Sequence, residues 1–191
     1  MRSTVLALVL SLLGCGSSTP SSSTPPTPVA IAPTIEVAPE HAQSAPEVVL
    51  DAPGEYDIGG VLVTGIATKR PDGTRNVVFI CEIDGIRIGH LGLPATLAFE
   101  ELKDVDVLLL PVGGGNSLQP NQAADLMTRI EPRIAIPMNY KAGGETLDLE
   151  PLEKFLKETG SKPEPQPRIS VSRSSLPADL TVMVLEPKLL S

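Results

Sequence analysis

Few side chains in this 191-residue chain could do chemistry, and that scarcity is the first constraint on its function. There are two histidines, His41 and His90, and two cysteines, Cys15 and Cys81. A zinc or di-metal hydrolase normally uses several imidazoles, completed by carboxylates or thiolates. A metal centre built from these residues is therefore not expected. Cys81 lies in NVVFICEI, where Val77, Phe79 and Cys81 alternate onto one face of a strand. No cation or histidine flanks it in sequence to favour the thiolate, so it reads as a small buried hydrophobe. The acid pairs Glu82 with Asp84 and Asp104 with Asp106 stand at strand ends and turns, where solvated carboxylates are ordinary.

The segment Pro111-Val112-Gly113-Gly114-Gly115-Asn116-Ser117 offers more. It follows an apolar strand and precedes a helix, so successive backbone N–H groups of Gly113, Gly114 and Gly115 could face one point as an anion nest. Tyr140 and Lys141, beside Asn139, would complete a site for a small anion. The lysine of a Walker loop is missing from its required spacing. The same glycines also suit a purely architectural role, close approach of the chain to a neighbouring loop.

Composition removes other classes. The length suits one domain and a tail. Fifteen Lys+Arg against 23 Asp+Glu leave a net charge of -8 with no basic run, so nucleic acid is not an expected partner. Aromatic residues are 3% and Trp is absent, which argues against stacking platforms for bases.

The N-terminus reads as an address. Arg2 is followed by an apolar run from Val5 to Leu13, far short of the ~20 residues that span a bilayer and typical of a signal segment. Leu12-Leu13-Gly14-Cys15 resembles the lipobox of bacterial lipoproteins. That resemblance implies lipid on Cys15 and an exported chain anchored at the cell surface or periplasmic face. An ordinary secretory signal is the other reading. Residues 16–46 hold seven prolines and no Lys or Arg. Proline fixes φ and removes donors, so this stretch is expected to be an extended tether without ladder or helix. His41 falls in it and carries no expected role.

The elements that must position any site begin near Glu47. Apolar runs at 48–50, 60–66, 76–83 and 85–91 are separated by turn signals, among them the strong hairpin pair Asp84-Gly85. After Pro94 helices and strands alternate: helices over 95–102, 120–130 and 148–159, strands over 105–110, 133–137, 168–171 and 180–185. A sheet with covering helices makes the class α/β or α+β.

Several segments together resemble metallo-β-lactamase-fold hydrolases, nearest the small bacterial branch related to ascorbate-phosphate lactonases. They are GEYDIGGVLVTGI (54–66), GIRIGHLG (85–92), DVDVLLLPVGGG (104–115), EPRIAIPMNYK (131–141), LDLEPLEKFLKETG (147–160) and SRSSLPADLTVMVLEP (172–187). The resemblance implies the second half of an αββα sandwich over residues 47–191, with a mixed sheet covered by helices. It also implies metals at the edge between the two halves. Where relatives place ligands, this chain has Lys69 and Arg70, Leu93 in place of the Asp of HLGD, and Asn139 in place of the His of PMHYK. No H-x-H-x-D-H occurs.

These substitutions bind zinc poorly, so neither a metal nor another cofactor is expected. The implied function is a lipid-anchored, metal-free, non-catalytic binding or assembly module. The alternative is a metal-dependent hydrolase of lactonase or phosphoesterase type, completed by a partner or by other ligands. A half-sandwich would leave one sheet face bare, which suggests a homodimer or protein partner there.

Overall fold

The computed structural model describes residues 35–37, 48–95, 102–142 and 148–186. Residues 1–15 with Cys15, most of the 16–46 segment with His41, and nearly all of the helix expected over 95–102 lie outside that set. Among the described residues no helix is long and apolar enough to cross a membrane.

A short strand, β1 (Ile35–Val37), comes first. Two hairpins then build one side of a sheet. β2 (Gly54–Ile58) turns into β3 (Val61–Lys69) through Gly59 and Gly60, both at positive φ. β4 (Arg75–Ile83) turns into β5 (Ile86–His90) through Asp84 and Gly85, at φ 50° and 73°. This is the left-handed pair that a tight two-residue hairpin demands, as the Asp-Gly signal predicts. Then come β6 (Val107–Pro111), helix α1 (Pro120–Ile130), β7 (Ile134–Met138), helix α2 (Leu152–Thr159), β8 (Ile169–Val171) and β9 (Thr181–Val182).

Seven strands form one mixed sheet in the order β2-β3-β4-β5-β6-β7-β9. Pairing is antiparallel from β2 to β5 and parallel from β5 through β6 and β7 to β9. The class is therefore α/β, as expected. Residues 48–50 are not a strand, and β2 replaces them as the first antiparallel partner. Helix α2 begins at Leu152 rather than near Asp148, because Pro151 stands as its extended N-cap instead of inside its first turn.

The sheet buries both faces. On the helix side Val78, Ile80, Leu108, Leu110 and Ala135 pack with Ala123, Leu126 and Met127 of α1 and Phe155 of α2. On the other side Ile83, Ile86, Ile88, Val107, Leu109, Ile134 and Ile136 pack with Ile169 and Val171 of β8. Cys81 sits among this second set, half-buried, with its thiol pushed up by burial.

Two expectations are corrected here. The 16–46 segment does form a ladder in one place: β1 pairs antiparallel with β8, Ile35 opposite Val171. Pro33 and Pro39 bracket the Ile-Glu-Val run rather than interrupting it, so the β-branched pair keeps its donors. The second sheet face is not bare, because its centre is closed by β8. The large hydrophobic residues found exposed among those described are Val48, Val49 and Leu62, and none belongs to that face's core.

Candidate functional site

Three loops meet at the carboxyl edge of the parallel strands, where α/β sheets commonly place their ligands. They are Leu91–Leu93 after β5, Gly113–Ser117 after β6 and Asn139–Lys141 after β7. They bring together most of the positions singled out in the sequence.

The second and third loops are joined through the backbone. The Val112 amide donates to the Met138 carbonyl at 3.0 Å. A Cβ on Gly113 would overlap the Asn139 carbonyl oxygen and crowd the Tyr140 Cα, so only glycine allows this approach. Asn139 itself is left-handed at φ 52°, a conformation Asn tolerates better than most residues, and its Nδ2 donates to Asn116 Oδ1 at 3.3 Å. The segment leading into α2 closes the set. The Glu150 amide donates to the Gly113 carbonyl at 2.7 Å, and the Lys141 amide to the Glu150 carbonyl at 3.0 Å.

The glycine loop is less open than its sequence suggests. Gly114 is buried, and its amide donates to the Leu118 carbonyl at 2.8 Å. The Ser117 amide returns to the Gly114 carbonyl at 3.1 Å. Gly114 and Gly115 are left-handed, yet the central N–H of the expected nest is already used. Tyr140 turns its hydroxyl toward the Leu185 carbonyl at 3.5 Å, and burial with Glu153 nearby pushes its pKa up. Lys141 is exposed. Gly113 and Asn139 therefore come together, but Tyr140 and Lys141 do not converge on them as an anion cradle.

The first loop is held by a residue that the sequence reading passed over. Asn76, 4% exposed, donates through Nδ2 to Thr68 Oγ1 at 2.8 Å and to the Leu91 carbonyl at 3.0 Å. Its Oδ1 accepts from the Leu93 amide at 2.9 Å. An amide at an inward position of an otherwise apolar alternating strand was the available signal. His90 assists: its Nδ1 accepts from the Gly92 amide at 3.2 Å, which puts the proton of the neutral ring on Nε2. Its neighbours in register are Phe79 and Leu109, and burial pushes its pKa down. His90 is thus a neutral packed imidazole that positions a loop.

The described residues of the loops bring no set of metal ligands together. Among the described residues no three His, Cys, Asp or Glu side chains gather. Leu93 offers hydrocarbon, Asn139 an amide already bonded to Asn116, and Lys69 an ammonium that repels a dication. These residues do not fit a divalent metal. Arg70 follows Lys69 with its Nε enclosed and without a partner.

With this geometry in place, the comparisons fall into line. A family model described as "Beta-lactamase superfamily domain" matches residues 33–139. That match begins two residues before β1, inside the segment expected to be a tether. A UPF0173 protein of Pyrococcus furiosus is 37% identical over 106 residues, 54% of this chain and 48% of the relative. A UPF0173 metal-dependent hydrolase of Thermococcus onnurineus is 28% identical over 124 residues, 58% of this chain and 54% of the relative. The chain thus spans about half the length of the curated relatives it matches.

A Thermotoga maritima structure of the metallo-β-lactamase superfamily, with zinc-dependent hydrolase as its suggested activity, superposes with a TM-score of 0.62 at 34% identity. It covers 72% of this chain and 71% of that one. A metallo-β-lactamase fold protein of Bacillus subtilis shares the fold alone, at 7% identity and a TM-score of 0.50, covering 74% and 54%.

Proposed function

The chain belongs to the beta-lactamase superfamily, and from that premise we propose that it is a hydrolase-derived domain that holds no metal on its own carboxyl-edge residues and acts by binding. One observation carries this reading: the loops after β6 and β7 are bonded to each other and the loop after β5 to Asn76, while Lys69, Leu93 and Asn139 supply no ligand. In this reading the signal-like residues 1–15 export the chain, lipid on Cys15 anchors it, and the domain works as a binding or assembly module at a membrane surface.

A second reading rests on the names of the relatives, and those names favour it over the first. In it the chain is a metal-dependent hydrolase whose ligand set is completed by a partner or by residues outside the described ones.

Elemental analysis separates the two. The full chain, purified without chelator or a histidine tag, is offered zinc, manganese and iron, then desalted. Substoichiometric metal is expected; one or two metals held per chain after desalting would make the hydrolase reading the correct one.

A further inference from the structure

The tip of the β3–β4 hairpin concentrates positive charge that the one carboxylate of its turn offsets only in part. Lys69 stands directly opposite Arg75 in the antiparallel register, so two cations share one face at cross-strand distance. Arg70 follows in the turn, its Nε enclosed and without an acceptor. The Arg75 Nη2 donates to a neutral group, the Asp51 carbonyl, at 3.0 Å. The turn's one carboxylate is held mainly by Thr74, for Asp72 Oδ1 accepts from the Thr74 amide at 2.9 Å and from Thr74 Oγ1 at 2.6 Å, and it attracts Arg70 without forming an ion pair. Ion pairs form in other places, at Lys154–Glu150 and Arg173–Asp106. In a chain of net charge -8 acids are abundant, yet these three cations have no such partner among the described residues.

We propose that the β3–β4 hairpin tip binds a phosphate-bearing ligand, with Lys69 and Arg75 supplying paired cations and Arg70 a third from the adjoining turn. Three cations against the single carboxylate of the turn leave two positive charges, which a phosphate monoester close to its dianion balances. Guanidinium groups match the phosphate oxygens in geometry, and the ammonium adds a point charge. This site adjoins the first carboxyl-edge loop, since Asn76 beside Arg75 bonds to Leu91 and Leu93 and the Ala95 amide donates to the Lys69 carbonyl at 2.8 Å.

The test uses the full chain with chelator present, so that metal-held phosphate plays no part. Amide resonances are followed during titration with inorganic phosphate and with glycerol phosphate, against chloride at matched ionic strength. In parallel the chain is sedimented with phosphatidylcholine vesicles that contain phosphatidic acid, a phosphate monoester, or lack it. Shifts at Lys69, Arg70, Thr74 and Arg75 are expected, with affinity at least tenfold weaker in the Lys69→Gln/Arg75→Gln variant, whose two sites are exposed.

Binding of free phosphate upholds the proposal with a soluble ligand. Capture by the phosphatidic acid vesicles alone, lost in the double variant, upholds it with a lipid headgroup. Equal shifts in chloride, no response in either arm, or binding unchanged in the double variant would overturn it.

Discussion

The carboxyl-edge loops and the β3–β4 hairpin tip lie on one sheet and have opposite character. The loops after β6 and β7 are bonded to each other through Gly113, Asn139 and Glu150, and the loop after β5 is bonded to Asn76, although Ser117 Oγ is buried there without a partner. At the hairpin tip Lys69 and Arg75 face each other, and the one carboxylate of the turn, Asp72, attracts Arg70 alone. Buried polar groups normally have partners, so the enclosed Arg70 Nε marks a place where the fold has not completed its own bonding. The contrast teaches that one sheet carries both loops held by amide and carbonyl contacts and a turn whose cations outnumber the carboxylate beside them.

The largest effect should come from Gly113→Ala, because the added methyl meets backbone atoms of Asn139 and Tyr140 that cannot yield. A loss of about 3 kcal/mol in urea denaturation is expected. A variant as stable as the parent would show that the edge is not locked. Asn76→Ala comes next, since it strands the buried Leu93 amide and Leu91 carbonyl, and should cost about 2 kcal/mol.

His90 gives a pH dependence with a definite sign. Its folded pKa lies below the unfolded value, so the unfolded chain binds the proton more readily. Stability should fall as the pH drops below about 6.5, by at most about 1.4 kcal/mol per pH unit, and level off below the folded pKa. Protonation also removes the Nδ1 acceptor from the Gly92 amide. In His90→Gln the slope through this window should flatten, and a slope that persists would assign it to another group.

The hairpin tip should respond far less. Gly73→Ala meets nothing within 4 Å but keeps a φ of +81°, so about 1 kcal/mol of backbone strain is all that is expected. Lys69→Gln should stabilise by about 0.3 kcal/mol at low salt, because it relieves the repulsion with Arg75. Destabilisation by that change would mean that Lys69 has a counter-charge after all.

Much of the frame was legible in the residues. Helix α1 at Pro120–Ile130, the Asp84-Gly85 hairpin and the strands near 76–83 and 133–137 follow from turn chemistry and apolar period. Strand β2 was missed because Pro53-Gly54 reads as a turn, whereas the turn is at Gly59-Gly60. Strand β1 was missed because its proline-rich surroundings outweigh a three-residue β-branched run, and its partner β8 lies far along the chain. At the site, the positions of Lys69, Leu93 and Asn139 could be named from resemblance. That the Gly114 N–H is bonded to Leu118, and that Asn76 ties the first loop, depends on three-dimensional contacts that no local pattern encodes.

The β1–β8 ladder also bears on how the molecule assembles. Ile35 meets Val171 across nearly the whole described length, so the contact closes one of the longest loops in the fold. Such a closure is entropically costly until the seven-stranded sheet has gathered the intervening chain, which makes β1 a late arrival. A strand that docks after the rate-limiting step acts on the escape rate rather than the folding rate. Shortening the chain to remove Ile35–Val37 should leave refolding unchanged and quicken unfolding, so this three-residue strand would act as a latch on the lifetime of the folded state.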